Sequence, residues 1–366
     1  MNTYDRMIKV LARHERVVSV ATMIGGFCFD LVIAKRPDSV FVNTLLLVYL
    51  LVSAAVIVYL AASRTAPREK AATLAPILAM KFAFGGLSSN MLILYGKSGT
   101  LGGSLLFIGV LLAMLIGNEF LKSRYEELRF NMSVWYFLLL TYCVIAVPTW
   151  LTHEIGARTF IESNAISAAL LLLFLAMLHG ATRIFRGRDG VRHLLHALSM
   201  MAGILAVFNA LYFAQLIPPV PLALRDGGIY HLVVRSADGS YGVKYEAAPW
   251  ALRFWQNTNA IYMIAPAQEN SAYCFSSVFA PTGLGASVEH VWQRYNTATN
   301  EWDTIATVSF PISGGREEGY RGYSMKSDLT PGRWRCNVET TDGSLVGRIP
   351  FDVIEGASPT LTSATL

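Results

Sequence analysis

The chain carries long apolar segments separated by short polar ones down to about residue 217, and a two-residue alternation after that. A helix needs about 20 apolar residues to cross a hydrocarbon core of about 30 Å. We therefore predict an α-helical membrane bundle of seven transmembrane helices in residues 1–217. The predicted spans are 17–34, 41–62, 74–95, 101–120, 132–151, 161–181 and 193–217.

From residue 229 onward, apolar side chains recur at every second position, and Gly, Asn, Asp and Pro punctuate the pattern. This is typical of half-buried antiparallel strands joined by turns. We predict an all-β sandwich of immunoglobulin-like type over residues 229–355, followed by a disordered tail at 356–366. The predicted strands are 229–235, 240–246, 272–279, 287–295, 302–310, 319–326, 333–340 and 344–353.

The segment between the two patterns contains the sequence "IPPVPLAL", from Ile217 to Leu224. Proline lacks a backbone N–H and cannot continue a helix, and a run of prolines favours an extended, stiff chain. Residues 218–228 are therefore predicted to form a short proline-rich stalk.

The composition supports a membrane protein. The chain is 53% hydrophobic and 15% charged, whereas soluble domains carry about a quarter of charged residues. The net charge of +5 is modest and gives no indication of a nucleic-acid partner, so the lipid bilayer is the first partner that we expect.

The distribution of Lys and Arg among the predicted loops indicates the orientation, because short loops rich in these residues stay in the cytoplasm. One side carries fourteen of them: Arg6, Lys9, Arg13, Arg16, Arg64, Arg68, Lys70, Lys122, Arg124, Arg129, Arg183, Arg186, Arg188 and Arg192. The other side carries four: Lys35, Arg36, Lys97 and Arg158. We predict a multi-pass membrane protein with a cytoplasmic N-terminus and an external β domain.

Polar residues at membrane depth are costly and are candidates for function. Asp30 is the strongest candidate, although an ion pair with Lys35 or Arg36 at the membrane boundary is the expected structural role. Lys81 has a stem long enough to reach the headgroups, and Glu119 lies within a turn of the interface, where it can pair with Lys122 or Ser123. The intramembrane polar candidates are Asp30, Lys81, Asn90 and Glu119.

Two of these residues belong to a pair of similar motifs. "GGFCFD" (Gly25–Asp30) resembles "GGLSSN" (Gly85–Asn90) at an offset of sixty residues. The offset suggests the hypothesis of an internal repeat of helical hairpins, as in transporters, and a chance match of so few residues competes with it. Close helix packing through small residues is the alternative.

In the β module, His290 and Trp292 share one strand face, and Arg316 and Arg321 flank a glycine-rich loop. An aromatic ring beside guanidinium groups is suited to an anionic or sugar-containing ligand. The predicted ligand-binding residues are Arg316, Arg321, His290, Trp292 and Lys326.

Structural roles compete with this hypothesis. Arg316 and Arg321 can instead brace the loop by pairing with Glu317, Glu318 or Asp328. Lys326 shares a face with Ser324, a spacing that a Ser–Lys nucleophile pair also has but that is common by chance. Arg333 and Arg335 are interpreted as part of a solvated basic face.

Cysteine usage leaves one question open. Cys274 and Cys336 lie in the β module, where the compartment favours disulfides. Strand alternation turns Cys336 inward and Cys274 outward, so free thiols are favoured over a bridge. No metal site and no cofactor are predicted, since His193 and His196 lack a third ligand nearby.

Four segments of the module resemble a bacterial domain family of unknown function: "FSSVFAPTGL", "HVWQRYN", "GGREEGYRGYSMK" and "PGRWRCNVETTDGSLVGRIPFDV". The resemblance extends to the multi-span region that precedes this domain in one group of its members. The resemblance implies a bacterial inner-membrane protein of the envelope with an extracytoplasmic, periplasmic β domain. The family has no established activity that would extend to this chain. Cys336 stands where the family usually has an aliphatic residue.

Three functions follow from these features. The first is a membrane-anchored envelope protein whose external β module binds a protein partner, a glycan or another anionic ligand. The second is a transporter or channel that uses the helix bundle. The third is a membrane enzyme that acts on lipid-linked envelope substrates near Asp30, His153 and Glu154. No catalytic motif is present, so an enzyme is disfavoured.

Overall fold

A computed structural model describes most of the chain, which divides into a helical unit and a β-rich unit. The β-rich unit comprises Pro218–Leu366 and two short segments, Lys97–Gly103 and His153–Gly156. The described residues are 15–34, 36–63, 74–98, 104–120, 124–125, 127–182, 185, 187–248, 258, 260–264, 270–316, 318–356 and 358–366.

In the described part of the helical unit there are seven α-helices. Five helices are long and apolar enough to cross a membrane, and two shorter apolar helices, Met23–Ile33 and Leu105–Phe120, accompany them. The predicted order of seven helices followed by a β-rich region is therefore confirmed. The helices are α1 Glu15–Ile33, α2 Val40–Ser63, α3 Leu74–Ser98, α4 Leu105–Phe120, α5 Leu128–Val147, α6 Ala157–Thr182 and α7 Gly187–Phe213.

Hydrogen bonds from buried side chains to backbone carbonyls join the helices. The indole N–H of Trp135 in α5 donates to the carbonyl of Leu50 in α2 at 3.0 Å. The hydroxyl of Tyr95 in α3 donates to the carbonyl of Thr141 in α5 at 2.8 Å. Such bonds satisfy polar atoms that would otherwise be costly in an apolar bundle. At Pro148 the helix α5 passes into a π-helical turn, Pro148–Thr152.

The β-rich unit has eleven strands in its described part, arranged in three sheets. Their orders are β1-β5-β8, β4-β10-β9-β6-β7 and β11-β3-β2, and the β4–β10 pair is parallel. The strands are β1 Ala223–Tyr230, β2 Leu232–Arg235, β3 Tyr241–Tyr245, β4 Ile261–Ile264, β5 Ala272–Phe279, β6 Gly285–Asn296, β7 Glu301–Ser313, β8 Tyr320–Lys326, β9 Gly332–Thr340, β10 Leu345–Glu355 and β11 Thr362–Thr365.

The proline-rich stalk predicted over 218–228 is not what the structure shows. The backbone turns at Pro218–Leu222, where all five residues are buried, and β1 begins at Ala223. Strand β1 then pairs with β5 from Ala223 to Tyr230. The prolines stop the helix as predicted, but the residues after them have partners in a sheet, so they do not form a free spacer.

The prediction of free cysteines is also wrong. Cys274 in β5 and Cys336 in β9 form a disulfide that links the three-stranded sheet β1-β5-β8 to the five-stranded sheet. The alternation argument failed because β5 is buried on both of its faces, so its apolar pattern does not distinguish inside from outside. The core beside the bridge contains Trp292, Trp334 and Phe351.

The last residues, predicted to be disordered, form strand β11 against β3. Leu366 exchanges two backbone hydrogen bonds with Tyr241, at 3.0 and 2.9 Å. Ala364 and Leu366 also pack against a cluster of Tyr230, Val233, Tyr241, Val243 and Phe275. Strand β11 consists of small, mostly polar residues, so no apolar alternation in the sequence predicts it. Backbone pairing with β3 is what holds it in place.

Candidate functional site

Two of the predicted ligand-binding residues lie in the core. His290 and Trp292 of β6 are both 0% exposed. The ring nitrogens of His290 hydrogen-bond the hydroxyls of Ser276 and Ser324, at 2.7 and 2.9 Å. The indole N–H of Trp292 donates to the same Ser324 oxygen at 3.0 Å. This Ser–His–Ser–Trp network ties β6 to β5 and β8 and is closed to an external ligand.

The chemistry of the buried histidine supports a structural role. Burial lowers the pKa of His290 to about 4, so the imidazole is neutral at ordinary pH. A Ser–His pair is a known nucleophile arrangement, but Ser276 is 0% exposed and Ser324 is 4% exposed. A substrate cannot reach these hydroxyls, and the hypothetical Ser324–Lys326 pair fails for the same reason.

The arginines of the glycine-rich loop brace it. Arg321 forms an ion pair with Glu318, and the Ser277 hydroxyl donates to the Glu318 carbonyl. The guanidinium of Arg316 lies over the ring of Tyr320, 5.4 Å from its centroid. Gly315 and Gly319 have φ of 104° and 87°, which favours glycine at both positions. Glu317, a further predicted partner, lies outside the described residues.

The last predicted ligand-binding residue, Lys326, lies at the end of β8. Its ammonium donates to the carbonyl of Ser327. The structure therefore does not unite the five predicted residues on one surface: two are in the core, two brace a loop, and Lys326 bonds locally.

A different group of basic and aromatic side chains meets on the outer face of the five-stranded sheet. It consists of Trp302 from β7, Arg333 and Arg335 from β9, and Arg348 from β10, and we call it the Arg–Trp face. On β9, Trp334, Cys336 and Val338 are buried and point to the core, which turns Arg333 and Arg335 outward. The pairing registers of β10 with β9 and of β7 with β6 then place Arg348 and Trp302 on the same outer face.

The tryptophan supports two of the arginines. The guanidinium carbon of Arg335 lies 4.1 Å from the centroid of the Trp302 ring. The guanidinium of Arg333 lies 5.8 Å from the same ring and 5.0 Å from the ring of Tyr295. Cation–π contacts of this kind hold an arginine extended without neutralising it.

Neutral amides hold the inner arginines. The Nε of Arg335 donates to the Gln293 side-chain oxygen at 2.6 Å. The Nε of Arg348 donates to the Asn337 side-chain oxygen at 2.9 Å. An amide oxygen accepts the Nε–H of a guanidinium and fixes its orientation without neutralising its charge. The terminal N–H groups are then left to bind a ligand. The arrangement therefore presents oriented donors, which is the geometry that recognises carboxylate and phosphate groups.

The two inner arginines are partly buried and close enough to repel each other, and Glu339 supplies one negative charge beside both. Burial and the charge of Arg348 lower the pKa of Arg335 to about 10. Burial also lowers the pKa of Arg348, although Glu339 opposes the shift. The pKa of Glu339 is itself raised by burial. Because an anion relieves the cost of neighbouring buried cations, its binding here is favoured.

A cavity of about 390 Å³ opens at this face. The volume is within the range of small-ligand pockets. Its polar wall is made by the three arginines and Asp352, and its apolar wall by Trp302 and Pro350. The cavity thus offers cationic donors beside apolar surface, which is suited to an anionic group on a ring.

The β unit also brings together three groups with metal-binding atoms. Those of Cys274, His290 and Cys336 lie within 4.8 Å of one another, and all three residues are buried. The two sulfurs are joined in the disulfide, so they do not offer the thiolates that bind metals.

In the helical unit, two predicted intramembrane residues pair with each other. The ammonium of Lys81 in α3 lies 2.9 Å from a carboxylate oxygen of Glu119 in α4. Asn118 donates to the Lys81 carbonyl at 3.1 Å, and the Tyr125 hydroxyl donates to the Asn118 side chain. The interpretation of two separate residues that reach the membrane boundary is wrong, because this ion pair joins α3 to α4.

The other two intramembrane residues also come together. Asp30 is 6% exposed, and its carboxylate interacts with the side chains of Ser89 and Asn90 in α3. Arg36, one of its predicted partners, forms a two-point ion pair with Asp38, at 2.9 and 2.7 Å. The other, Lys35, lies outside the described residues.

Comparison with known proteins gives one family match. Residues 286–353 match a family described as "Protein of unknown function (DUF2914)". This segment contains the Arg–Trp face and fits the predicted resemblance of the β module to an uncharacterised family. No curated protein matches the chain.

Among solved structures, the chain aligns with Pseudomonas fluorescens alkylpurine DNA glycosylase AlkC bound to DNA containing an abasic site analog. The alignment covers 87% of this chain and 99% of the other, with 11% identity and a TM-score of 0.21. A likeness at this level carries no argument about fold or function.

Proposed function

We propose that the protein is a membrane-anchored envelope protein whose external β module binds an anionic, sugar-containing envelope ligand at the Arg–Trp face. The chain spans the inner membrane seven times, with its N-terminus in the cytoplasm. The β module is a sandwich of immunoglobulin-like type on the periplasmic side. The observation that carries the binding proposal is three arginines, positioned by neutral amides and by Trp302, around one cavity.

The ligand class follows from the donors. Guanidinium groups recognise carboxylate and phosphate oxygens through paired N–H bonds. The apolar wall of Trp302 and Pro350 is suited to the ring of a sugar that carries such a group. The proposal thus keeps the ligand that the sequence suggested and transfers the site from Arg316 and Arg321 to Arg335 and Arg348.

Binding of a charged sugar polymer tests the proposal. We expect the full chain in detergent to bind labelled polygalacturonate, which carries a carboxylate on each sugar, and to ignore neutral dextran. The double variant Arg335→Ala/Arg348→Ala should weaken binding by at least about tenfold, since each hydrogen bond to a charged group contributes about 1.5–3 kcal/mol. Thermophoresis of the labelled polymer measures both affinities.

The matched control is Arg316→Ala/Arg321→Ala, which removes the same number of charges from the loop. This control should bind the polymer as the unchanged protein does, while its melting temperature falls because the loop has lost its brace. Unchanged affinity in the Arg335/Arg348 variant, or equal binding of neutral dextran, contradicts the proposal. Hydrogen exchange of β9 and β10 checks that the variants remain folded.

A second candidate function is cation transport through the helix bundle. The observation that favours it is the buried contact of Asp30 with Ser89 and Asn90. The membrane-enzyme alternative stays a prediction. Asp30 belongs to the helical unit, whereas His153 and Glu154 are grouped with the β-rich unit.

A further inference from the structure

An acidic side chain, Asp352 of β10, lines the cavity of the Arg–Trp face together with the arginines. Strand pairing places Asp352 directly opposite Arg333 and makes it the diagonal neighbour of Arg335, whose direct partner is Pro350. Opposite charges at such positions attract each other. Within the ranges that the structure describes, however, the Asp352 carboxylate has no ion pair and no side-chain hydrogen bond.

The direction of the Arg333 side chain explains why these two residues do not pair. Its guanidinium lies over the rings of Tyr295 in β6 and Trp302 in β7, 5.0 and 5.8 Å from their centroids. In the sheet, β6 and β7 lie on the side of β9 that is remote from β10. The two aromatic rings therefore hold Arg333 away from Asp352.

The other two arginines also have partners away from the acid. Arg335 contacts Trp302 and donates to Gln293, which both lie on the same remote side of β9. Arg348 starts on β10, but its Nε donates to Asn337 of β9. The cavity thus contains cationic donors and a carboxylate acceptor that do not neutralise each other.

The backbone at Asp352 is fixed, and its carboxylate is accessible. Strand β10 pairs with β9 on one side and with β4 on the other, and the Asp352 N–H donates to the Ala260 carbonyl at 2.7 Å. The side chain is exposed, so a ligand in the cavity can reach it. Because an ionised carboxylate accepts hydrogen bonds and donates none, it attracts an ammonium group and repels a second anion.

We propose that the ligand of the Arg–Trp face is an anionic amino sugar, whose acidic group binds the arginines and whose ammonium group binds Asp352. This inference rests on the proposed function and defines its ligand more closely. Diagonal neighbours on paired strands lie about 7–8 Å apart, a distance that one sugar ring with two charged substituents spans. Pro350 faces outward next to Asp352 on β10 and offers apolar surface to the ring.

Three sugar phosphates that differ at one carbon test the proposal. Glucosamine 6-phosphate carries an ammonium group there, N-acetylglucosamine 6-phosphate a neutral amide, and glucose 6-phosphate a hydroxyl. We expect the full chain in detergent to bind the first about three- to fivefold more tightly than the other two, as an ion pair at an accessible site allows. Thermophoresis of the labelled protein measures each affinity directly.

The variant Asp352→Asn should lose this preference. It should bind glucose 6-phosphate at least as tightly as the unchanged protein does, because a repelling charge is gone. The matched control is Glu355→Gln, which removes an exposed carboxylate from the same strand outside the residues that line the cavity. This control should keep the preference for the ammonium group. Hydrogen exchange of β10 checks that both variants are folded.

The outcomes separate this inference from the proposed function. Equal affinities for the three sugars, or a preference that persists in Asp352→Asn, overturn the inference and leave the anion site in place. Loss of the preference in Glu355→Gln as well would assign it to the general charge of the strand and would also overturn it. If neither the sugar phosphates nor polygalacturonate bind, the proposed function fails and the inference fails with it.

Discussion

The buried imidazole of His290 makes the stability of the β unit depend on pH. Its pKa is about 4 in the folded protein and about 6.5 in an unfolded chain. As the pH falls below about 6.5, the unfolded chain gains a proton that the folded one does not, so stability declines until about pH 4. From pH 7 to pH 5 we expect a loss of about 2 kcal/mol. Hydrogen exchange of β6, corrected for intrinsic rates, measures it.

The control for this prediction is His290→Gln, which removes the titrating group and keeps an amide that can bond one of the two serines. The variant should be less stable at pH 7 and should lack the decline between pH 7 and pH 5. An equal decline in both proteins would assign the pH dependence to other groups and would contradict the role given to His290.

At the same scale, the sequence predicts the outward position of two residues of the Arg–Trp face but not the face as a whole. Alternation along β9 correctly placed Arg333 and Arg335 on the outer face. Trp302 and Arg348 come from neighbouring strands, and their register with β9 depends on pairing that a single sequence does not reveal. His290 and Trp292 share a strand face, but alternation alone does not show whether that face points to solvent or, as here, into the core. The three buried polar contacts that satisfy these two side chains lie on distant strands.

At the scale of elements, β11 closes one sheet through its backbone. We expect truncation after Leu361 to remove one of the two partners of β3 and to speed hydrogen exchange in β2 and β3 by about 5–30-fold, as a loss of about 1–2 kcal/mol would. Exchange in β6 and β9 should not change, because these strands belong to another sheet. Mass spectrometry of the corresponding peptides gives the rates.

A point variant separates the backbone of β11 from its side chains. Thr362→Ala changes an exposed side chain and leaves the backbone pairing with Tyr245 in place. Its exchange rates should match those of the unchanged protein. Equal protection of β3 with and without the last residues would show that β11 contributes no stability to the sheet.

A strand could be predicted where its own residues carry the alternation and the flanking turns that mark its bounds. Strands β5 to β10 lie within a few residues of their predicted bounds, because each combines alternation with clear turns. Strand β4 is a short apolar run without alternation, and it is held by parallel pairing with β10. The predicted strand 229–235 is divided at His231, where the chain passes from one sheet to another.

At the scale of the whole molecule, orientation is the main property that the sequence predicts independently of the fold. The fourteen-to-four bias of Lys and Arg favours a cytoplasmic N-terminus. With an odd number of spans the β module is expected outside, and the Cys274–Cys336 disulfide fits an oxidising compartment. Alkaline phosphatase fused after Leu366 should be active, and a cytoplasmic reporter at the same position should be inactive. The reverse pattern would contradict the orientation.

If α1 crosses the membrane together with the five long helices, helix α4 decides whether the span count is odd. Its 16 residues extend about 24 Å at 1.5 Å per residue, which is less than a hydrocarbon core of about 30 Å. Phosphatase fusions after Ser98 and after Lys122 flank this helix, with the first expected to be active and the second inactive. Equal activity at both positions would show that α4 does not cross. The β module would then lie on the same side as the N-terminus, where the bridge between Cys274 and Cys336 would not persist.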